Sequence, residues 1–244
     1  MPTLRDGSTT ADHRLDRIPF FDERSRQYRI FGLVDAAQPI KTQMWTVPAG
    51  ADGHPAPVLD QGQEGACTGF GVTNELRFNP VPIPNLDATF ARQNVYWAAQ
   101  KIDPWPGGAY PGAQPQYEGT AVLYAIKSAQ ALGYYTAYHW AMSEPEMALG
   151  VSTLGPAVIG VNWYQGMFKP NKNNTLTVTG QLAGGHCILV IGVNTQDNTY
   201  TIYNSWGPTW GINGTAKISR TDMARLLREQ GECCIITGRA TGKH

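Results

Sequence analysis

The sequence predicts an α+β fold, with helices in the first half of the chain and strands in the second. Between residues 67 and 155, several segments carry apolar residues three to four positions apart. After Gly155 the pattern changes to short runs rich in β-branched and aromatic residues. Because the two kinds of element are segregated along the chain and do not alternate, they are expected to form separate layers or lobes.

Four helices are predicted in the first half of the chain. The first begins at Cys67 and places Phe70 and Phe78 on one face. A cysteine at a helix start lies in the partial positive charge of the helix N-terminus, which stabilises a thiolate. The fourth helix opens at Ser143 with a capping box, because Glu146 follows three residues later. The predicted helices cover residues 67–78, 87–101 and 120–132, and a short one follows residue 143.

Five strands are predicted in the second half of the chain. Each is a run of four to nine residues in which apolar, β-branched or aromatic side chains dominate, bounded in most cases by glycine, asparagine or proline. The predicted strands cover residues 156–164, 186–194, 199–206, 214–219 and 234–237.

The overall composition narrows the classes of partner. Lysine and arginine together number 19, as do aspartate and glutamate, so a net charge of zero gives no attraction for nucleic acid or an anionic membrane surface. No stretch reaches the roughly 18 consecutive apolar residues of a membrane span. The polar first residues lack the apolar core of a signal peptide, so the chain is expected to be cytoplasmic or released by another route, although a trimmed leader would leave the same sequence. The sequence indicates no oligomeric state.

The four cysteines do not form a metal or disulfide pattern. Cys67, Cys187, Cys233 and Cys234 include no C-x-x-C pair and no zinc-type cluster, so no metal and no cofactor is predicted. Reduced thiols are expected. Cys187 alternates to the strand face opposite His186 and is interpreted as core packing, as are Cys233 and Cys234.

Residues 1–56 show no strong periodicity and are interpreted as an N-terminal strap or a short pro-like segment. Within them, residues 14–30 mix charges with aromatic side chains. This mixture is typical of an extended arm that packs on a folded body, and a regulatory role is the less common alternative. The remaining residues, 57–244, are expected to form the main domain.

Three short segments, far apart in the chain, together hold the residue types that nucleophilic catalysis requires. A thiol needs a base to become a nucleophile, the base needs a third group to orient it, and a developing oxyanion needs hydrogen-bond donors. These segments are DQGQEGACTGF (60–70), GGHCILVIGV (184–193) and YNSWGPTWGINGTAKI (203–218). Each residue type taken alone has an ordinary structural interpretation; their joint occurrence in this order favours a catalytic one.

The three segments resemble the signature regions of papain-like cysteine peptidases, particularly bacterial members with a Q-G-Q-x-G-x-C-T pattern. In that family the histidine and asparagine lie about 130–150 residues after the cysteine. Here His186 follows Cys67 by 119 residues and Asn204 follows it by 137. The resemblance covers about residues 57–237. It implies a papain-like two-lobed fold, with a helical lobe over about 57–155, a β-barrel-like lobe over about 156–238, and the active-site cleft between them.

The resemblance also implies residue roles for a thiol protease. Cys67 would be the nucleophile, its thiolate paired with His186 as imidazolium, and Asn204 would orient the imidazole. Gln61 would supply an oxyanion-hole amide together with the Cys67 backbone N–H. Trp206 would shield the contact between histidine and asparagine and border the substrate.

Three further features complete the interpretation from the family. Gly119, just before the third helix, is expected to present backbone to an extended polypeptide substrate. Glu64 stands where many secreted members have a disulfide-forming cysteine, which agrees with reduced thiols and brings a carboxylate near the nucleophile. With only about 55 residues before the domain, a long helical propeptide has no room, so self-inhibition would be short-range or absent.

The predicted activity is that of a cysteine-type endopeptidase, a hydrolase that cleaves peptide bonds through an acyl-thioester. Two alternatives remain open from sequence. One keeps the triad and changes the substrate, as in an amidase, a peptidoglycan-type endopeptidase or an acyl transferase. The other is a non-catalytic papain-like scaffold that serves in binding or structure.

Overall fold

Helices form mainly in the first half of the chain in the computed structural model, which describes residues 1–34, 38–50 and 53–240. Two predicted caps are present, because the Asp87 side chain accepts from the Phe90 N–H and that of Ser143 accepts from the Glu146 N–H. The second predicted helix is interrupted by a π-helical segment, Ala91–Tyr96. The α-helices are α1 (Cys67–Arg77), α2 (Ala88–Phe90), α3 (Trp97–Ile102), α4 (Val122–Ala131), α5 (Glu144–Thr153) and α6 (Arg220–Arg228).

Seven strands form one antiparallel sheet, which confirms the α+β class. Its strand order is β2-β7-β3-β4-β5-β6, and β1 also pairs with β4. The path is open at β2 and β6, so the β-lobe is an open sheet and not a closed barrel in the part of the chain that the structure describes. The strands are β1 (Gln43–Met44), β2 (Tyr135–Trp140), β3 (Ala157–Tyr164), β4 (Leu182–Asn194), β5 (Thr199–Tyr203), β6 (Thr215–Ser219) and β7 (Glu232–Arg239).

Besides the two-residue strand β1, the strand β2 and the α-helix α6 are absent from the sequence prediction. β2 lies at the sheet edge and is buried only at its two ends, so it lacks the alternation that predicts a strand. α6 buries only Met223 and Leu226, although Ser219 caps it in a pattern that the sequence displays. Each of these two elements buries only two of its residues.

Each face of the sheet covers its own hydrophobic core. Alternation along β3 sends Val158 toward α1 and α4, and sends Ile159 toward α5 and α6. On β4, Cys187 faces the α1 side, as its alternation predicts, and Ile188 faces the other. The sheet is therefore an inner layer, and α1 is held firmly against one side of it.

Helix α1 is buried along its whole length, and this burial positions its first residue. All eleven residues from Cys67 to Arg77 are buried. At Gly71 a Cβ would lie 2.7 Å from the Cys187 Sγ, and at Gly69 it would lie 2.4 Å from the Ala91 carbonyl oxygen. The two glycines thus allow α1 to approach β4 and the π-helical segment more closely than any larger residue permits.

The N-terminal segment crosses the body of the protein between the helices and the sheet. Residues 4 and 17 form β-bridges to residues 118 and 120, beside the start of α4. Residues 11 and 17 donate backbone hydrogen bonds to residues 183 and 185 on β4. Within the N-terminal segment of residues 1–56, the part that lies on the body is residues 2–20, and from here on only this part is called the strap.

Across the three described ranges, none of the helices has the length and apolar character that a membrane span requires.

Candidate active site

Cys67 occupies the first position of α1, and its polar atoms face the strap. The preceding residue, Ala66, supplies no side-chain cap, so the Cys67 N–H is free to bond outside the helix. It donates to the Asp16 Oδ1 at 3.3 Å, and the Cys67 thiol donates to the same oxygen at 2.7 Å. The backbone N–H of Cys187 donates to the Cys67 Sγ at 3.3 Å. The sulfur therefore lies against β4, next to the backbone of the residue that follows His186.

His186 and Asn204 meet because they lie on neighbouring antiparallel strands. Leu189 on β4 pairs with Tyr203 on β5, so Asn204 follows directly after the paired end of β5. The His186 Nε2 lies 2.8 Å from the Asn204 Oδ1, which also accepts the Ser205 backbone N–H at 2.8 Å. An atom that accepts a backbone N–H must be the amide oxygen, so the His186 Nε2 is the donor in this pair. The Nδ1 of the neutral ring is then the unprotonated nitrogen, the one available as a base.

Aromatic rings enclose the imidazole of His186. The Trp206 ring centroid lies 4.8 Å from that of His186, and Trp163 packs edge-on at 4.7 Å. Trp206 therefore shields the contact between His186 and Asn204 from water. The strap crosses the site here, and its Arg14 guanidinium lies over the Trp206 ring, 4.2 Å from the ring centroid.

Burial opposes the ionisation of the His186 imidazole, the Cys67 thiol and the Asp16 carboxyl. It lowers the pKa of His186 to about 4 and is opposed by the hydrogen bond to Asn204. Burial, and then the Asp16 carboxyl, raise the pKa of the Cys67 thiol. Burial also raises the pKa of Asp16 well above its ordinary value. Among the described residues the His186 Nδ1 has no hydrogen-bond partner, so the thiolate–imidazolium pair that the family resemblance implies is not formed here, and the thiol is hydrogen-bonded to Asp16 instead.

Gln61 directs its amide toward the strap, at Arg14, two residues before the residue that contacts the Cys67 thiol. Its Nε2 donates to the Glu64 carbonyl at 2.8 Å and to the Arg14 carbonyl at 3.2 Å. Its Oε1 accepts from the Ser205 Oγ at 2.7 Å, which fixes the orientation of the amide. The two expected oxyanion donors, the Gln61 amide and the Cys67 N–H, therefore both face strap oxygens.

Gly119 lies at the site, but its backbone is already engaged. Its N–H donates to the Tyr96 hydroxyl at 3.0 Å, and its carbonyl accepts from Gln100 at 3.2 Å. It is the neighbouring Thr120 carbonyl that accepts a strap N–H, from Ile18 at 3.0 Å. A Cβ on Gly119 would lie 2.9 Å from the Ile18 Cδ1, and its φ of +105° also favours glycine. Gly119 therefore gives close approach, while Thr120 makes the extended-chain contact.

Glu64 was predicted to bring a carboxylate close to Cys67, but its charge does not act there uncompensated. Its carboxylate forms an ion pair with Arg92, so a partner compensates its charge.

The sequence analysis missed three strap residues at the site, which are Arg14, Asp16 and Arg17. Their only sequence signal is a mixed-charge stretch, and nothing in it indicates which side chain meets the nucleophile. In the described part of the chain, no three His, Cys, Asp or Glu side chains are placed to hold a metal ion.

Comparisons with known proteins bear on the family and the fold. A family model described as "Papain family cysteine protease" matches residues 93–240. Cathepsin B-like cysteine proteinase 6 of Caenorhabditis elegans is 25% identical over 181 residues, which is 72% of this chain and 43% of that protein. Cathepsin R of Mus musculus is 28% identical over 199 residues, which is 69% of this chain and 58% of that protein. The chain thus spans about half the length of these two relatives.

Solved structures confirm the papain-like fold. Xylellain, a cysteine protease from Xylella fastidiosa, superposes with a TM-score of 0.67 at 16% identity, over 96% of this chain and 99% of that chain. The cysteine protease and lectin-like domains of Cwp84, a surface layer associated protein of Clostridium difficile, give a TM-score of 0.52 at 14% identity. That match covers 97% of this chain and 64% of the other.

Proposed function

Since the chain belongs to the papain family of cysteine proteases, we propose that it is a cysteine endopeptidase that cleaves peptide bonds through an acyl-thioester on Cys67. One observation carries the proposal. The Cys67 Sγ lies 3.3 Å from the backbone nitrogen of Cys187, directly after His186, whose ring is held by Asn204 at 2.8 Å. The thiol at the helix start thus contacts the backbone next to the proposed base, and the orienting amide holds that base, which supports the proposal.

Catalysis on this arrangement begins with proton transfer. Once Asp16 has left, the His186 Nδ1 takes the thiol proton, and the α1 N-terminus stabilises the thiolate. The thiolate attacks the scissile carbonyl, whose oxygen is bound by the Cys67 N–H and the Gln61 amide. His186 then protonates the leaving amine, an acyl-thioester remains, and His186 activates the water that hydrolyses it. Asn204 holds the ring in the required tautomer through both steps.

The strap must leave the cleft before a polypeptide can bind. It places Asp16 on the nucleophile and fills the backbone positions at Thr120 and Gly185. Cys67 and His186 both have 0% exposure in this form. We therefore assign residues 1–56 as a short pro-like segment and residues 57–244 as the peptidase domain, with a helical lobe over about 57–155 and a β lobe over about 156–238. Self-inhibition here is short-range, and it needs no helical propeptide.

A thiol-specific epoxide and an internally quenched peptide library test the proposal. The full chain carrying Asp16→Ala, which weakens the strap at the nucleophile, is compared with Asp16→Ala/Cys67→Ala and with Asp16→Ala/Cys233→Ala. Cys233 is a matched control, because it is equally buried and lies in the core of the opposite sheet face. We expect labelling at Cys67 and peptide cleavage in the parent and in the Cys233 control, with both lost in the Cys67 variant.

Two outcomes would contradict the assignment. Undiminished cleavage by the Cys67 variant would mean that another residue is the nucleophile. Labelling at Cys67 without cleavage of any peptide, but with hydrolysis of cell-wall fragments or small amides, would move the activity to an amidase or a peptidoglycan-type endopeptidase.

A further inference from the structure

A second thiol lies beside the nucleophile. Cys187 directly follows His186 on β4, and its backbone N–H donates to the Cys67 Sγ at 3.3 Å. Both cysteines belong to the hydrophobic core between α1 and the sheet, both are 0% exposed, and both are reduced. The proposed hydrolysis uses only the thiol of Cys67. The thiol of Cys187 is therefore a nucleophilic group at the site to which the hydrolysis gives no role.

The backbone contact brings the two cysteines within disulfide range. The Cys67 Sγ is two bonds from its own Cα, and the Cys187 nitrogen is one bond from its Cα, so the 3.3 Å contact keeps the two Cα atoms within about 7 Å. A disulfide joins Cα atoms up to about 7 Å apart. The Cys187 sulfur also lies against α1, because a Cβ at Gly71 would lie 2.7 Å from it. Position 71 is one helical turn after Cys67 on the same face of α1. Joining the sulfurs thus requires rotation of the two side chains and no large backbone movement.

No other cysteine is placed to form this bond. All four cysteines lie in the described ranges. Cys234 is on β7, which β3 separates from β4, so two strand spacings of about 4.8 Å each lie between it and Cys187. Cys233 faces the core on the opposite side of the sheet. Cys187 is therefore the one thiol that can pair with Cys67, and Cys234 is a matched control on the same sheet face.

We propose that Cys67 and Cys187 form a redox modification site, in which a hydroperoxide oxidises Cys67 and Cys187 then closes a disulfide with it. The inference rests on the proposed function, because the thiolate that His186 generates for peptide hydrolysis is also the form that reacts with peroxide. The disulfide removes the nucleophile, and a dithiol reductant restores it. Peroxide thereby switches the enzyme off without destroying it.

Hydrogen peroxide is the two-electron oxidant. The Cys67 thiolate attacks one peroxide oxygen, the O–O bond breaks, and the departing hydroxide takes the proton held by His186, which gives water and a sulfenic acid on Cys67. The Cys187 sulfur then attacks the Cys67 sulfur, the S–O bond breaks, and the sulfenic hydroxyl leaves with the Cys187 thiol proton as a second water. Two thiols and one peroxide thus become one disulfide and two waters.

Burial decides which thiol is oxidised and when. It raises the pKa of the Cys187 thiol, so this thiol stays protonated and reacts poorly with peroxide. In the strap-covered form Cys67 is protonated as well, since burial and the Asp16 carboxyl raise its pKa. Oxidation therefore begins at Cys67 once the strap has left, and the sulfenic acid formed there lies beside Cys187. Without Cys187, a second peroxide takes the sulfenic acid to sulfinic acid, which thiols do not reduce.

Peptide mapping by mass spectrometry tests the site in the full chain carrying Asp16→Ala, which weakens the strap at the nucleophile. The protein is exposed to hydrogen peroxide, its remaining free thiols are blocked, and it is digested without reductant. We expect one peptide pair joined through Cys67 and Cys187 and lighter by two hydrogens than the separate thiol peptides. The added substitution Cys234→Ala should leave this product unchanged, and Cys187→Ala should replace it with sulfinic or sulfonic acid at Cys67.

Recovery after reduction gives a second readout. After peroxide and then dithiothreitol, labelling of Cys67 by the thiol-specific epoxide should return about tenfold more completely in the parent and the Cys234→Ala chain than in the Cys187→Ala chain. Cys187→Ser replaces Cys187→Ala if the latter does not fold. Sulfinic acid at Cys67 in the parent, without a cross-linked peptide, would overturn the proposal. Full recovery in the Cys187→Ala chain would also overturn it, because the bond would then join the sulfur to the backbone nitrogen of residue 187.

The cross-link and the peptidase activity are separate measurements. If the disulfide forms and no peptide is cleaved, the modification site stands and the proposed function fails. If peptides are cleaved and peroxide yields no disulfide, the proposed function stands and the modification site fails.

Discussion

Protonation of His186 should make the strap-covered protein sensitive to acid. Burial lowers the pKa of this imidazole to about 4, against an ordinary value of 6.5. The unfolded chain therefore binds the proton first as the pH falls, and stability is lost through the window from pH 6.5 to pH 4. At about 1.36 kcal/mol per pKa unit, the full loss is about 3 kcal/mol, of which about 2 kcal/mol has been lost at pH 5. The ring is fully buried, so solvent does not screen this term.

Urea unfolding of the wild-type chain and of His186→Gln, at pH 7.5, 6 and 5, measures this contribution. Other titrating groups, including Asp16 and Glu232, are common to both proteins and cancel in the difference. We expect the wild-type protein to lose about 2 kcal/mol more than the variant between pH 7.5 and pH 5. His139→Gln is the comparison, because that imidazole is only partly buried and its pKa is lowered by burial alone. Parallel pH profiles for the wild type and His186→Gln would show that the imidazole is not held neutral by burial.

Three further predictions concern the strap, the orienting residue and the core. Asp16→Asn should increase the rate at which a thiol-specific epoxide labels Cys67 by about tenfold or more, because it replaces the carboxyl that accepts the thiol hydrogen bond. The labelling rate is measured by mass spectrometry. An unchanged rate would show that the strap does not limit access. Asn204→Ala should lower kcat less than His186→Ala does, because it removes the orienting group and leaves the base; the reverse ranking would mean that the orienting residue is another one. Arg239→Ala should lower the free energy of unfolding in urea by about 3–5 kcal/mol, because it leaves the buried carboxylate of Glu75 without its cation. The double variant Arg239→Ala/Glu75→Gln should recover part of that loss. Equal stability of the double variant and of Arg239→Ala alone would contradict the account.

The residues proposed as catalytic could be named from the sequence because each lies beside a distinctive local pattern in the chain. Cys67 follows a glutamine-glycine turn and begins a helix with the expected periodicity. Asn204 directly precedes the serine and Trp206 that hold and cover it in the structure. His186 stands beside glycines at the start of the apolar part of a strand. These signals are local, and local geometry in helices and strands depends mainly on residues a few positions apart.

The strap contacts were not predictable in the same way. The contact between Asp16 and Cys67 joins residues 51 positions apart, and that between Arg17 and Glu232 joins residues 215 apart. The sequence indicated an arm with charges and aromatic side chains, but any of its acidic residues could have met the thiol. Likewise, an isolated glutamate before Cys233 carries no sign that it pairs with Arg17 of the strap.

By itself, the sequence determined the α+β class, the start of α1 and most strands, because these follow from hydrophobic periodicity and capping within short windows. The set of reacting side chains is a prediction from residue chemistry and family resemblance. The tertiary structure alone decided which groups face one another across the cleft. Asp16 is buried against the Cys67 thiol, and Arg17 is buried against the Glu232 carboxylate. Both contacts depend on the path of the whole chain. Desolvation, which sets the charge state of His186, Asp16 and Glu232, also arises only when distant segments close over a site and exclude water.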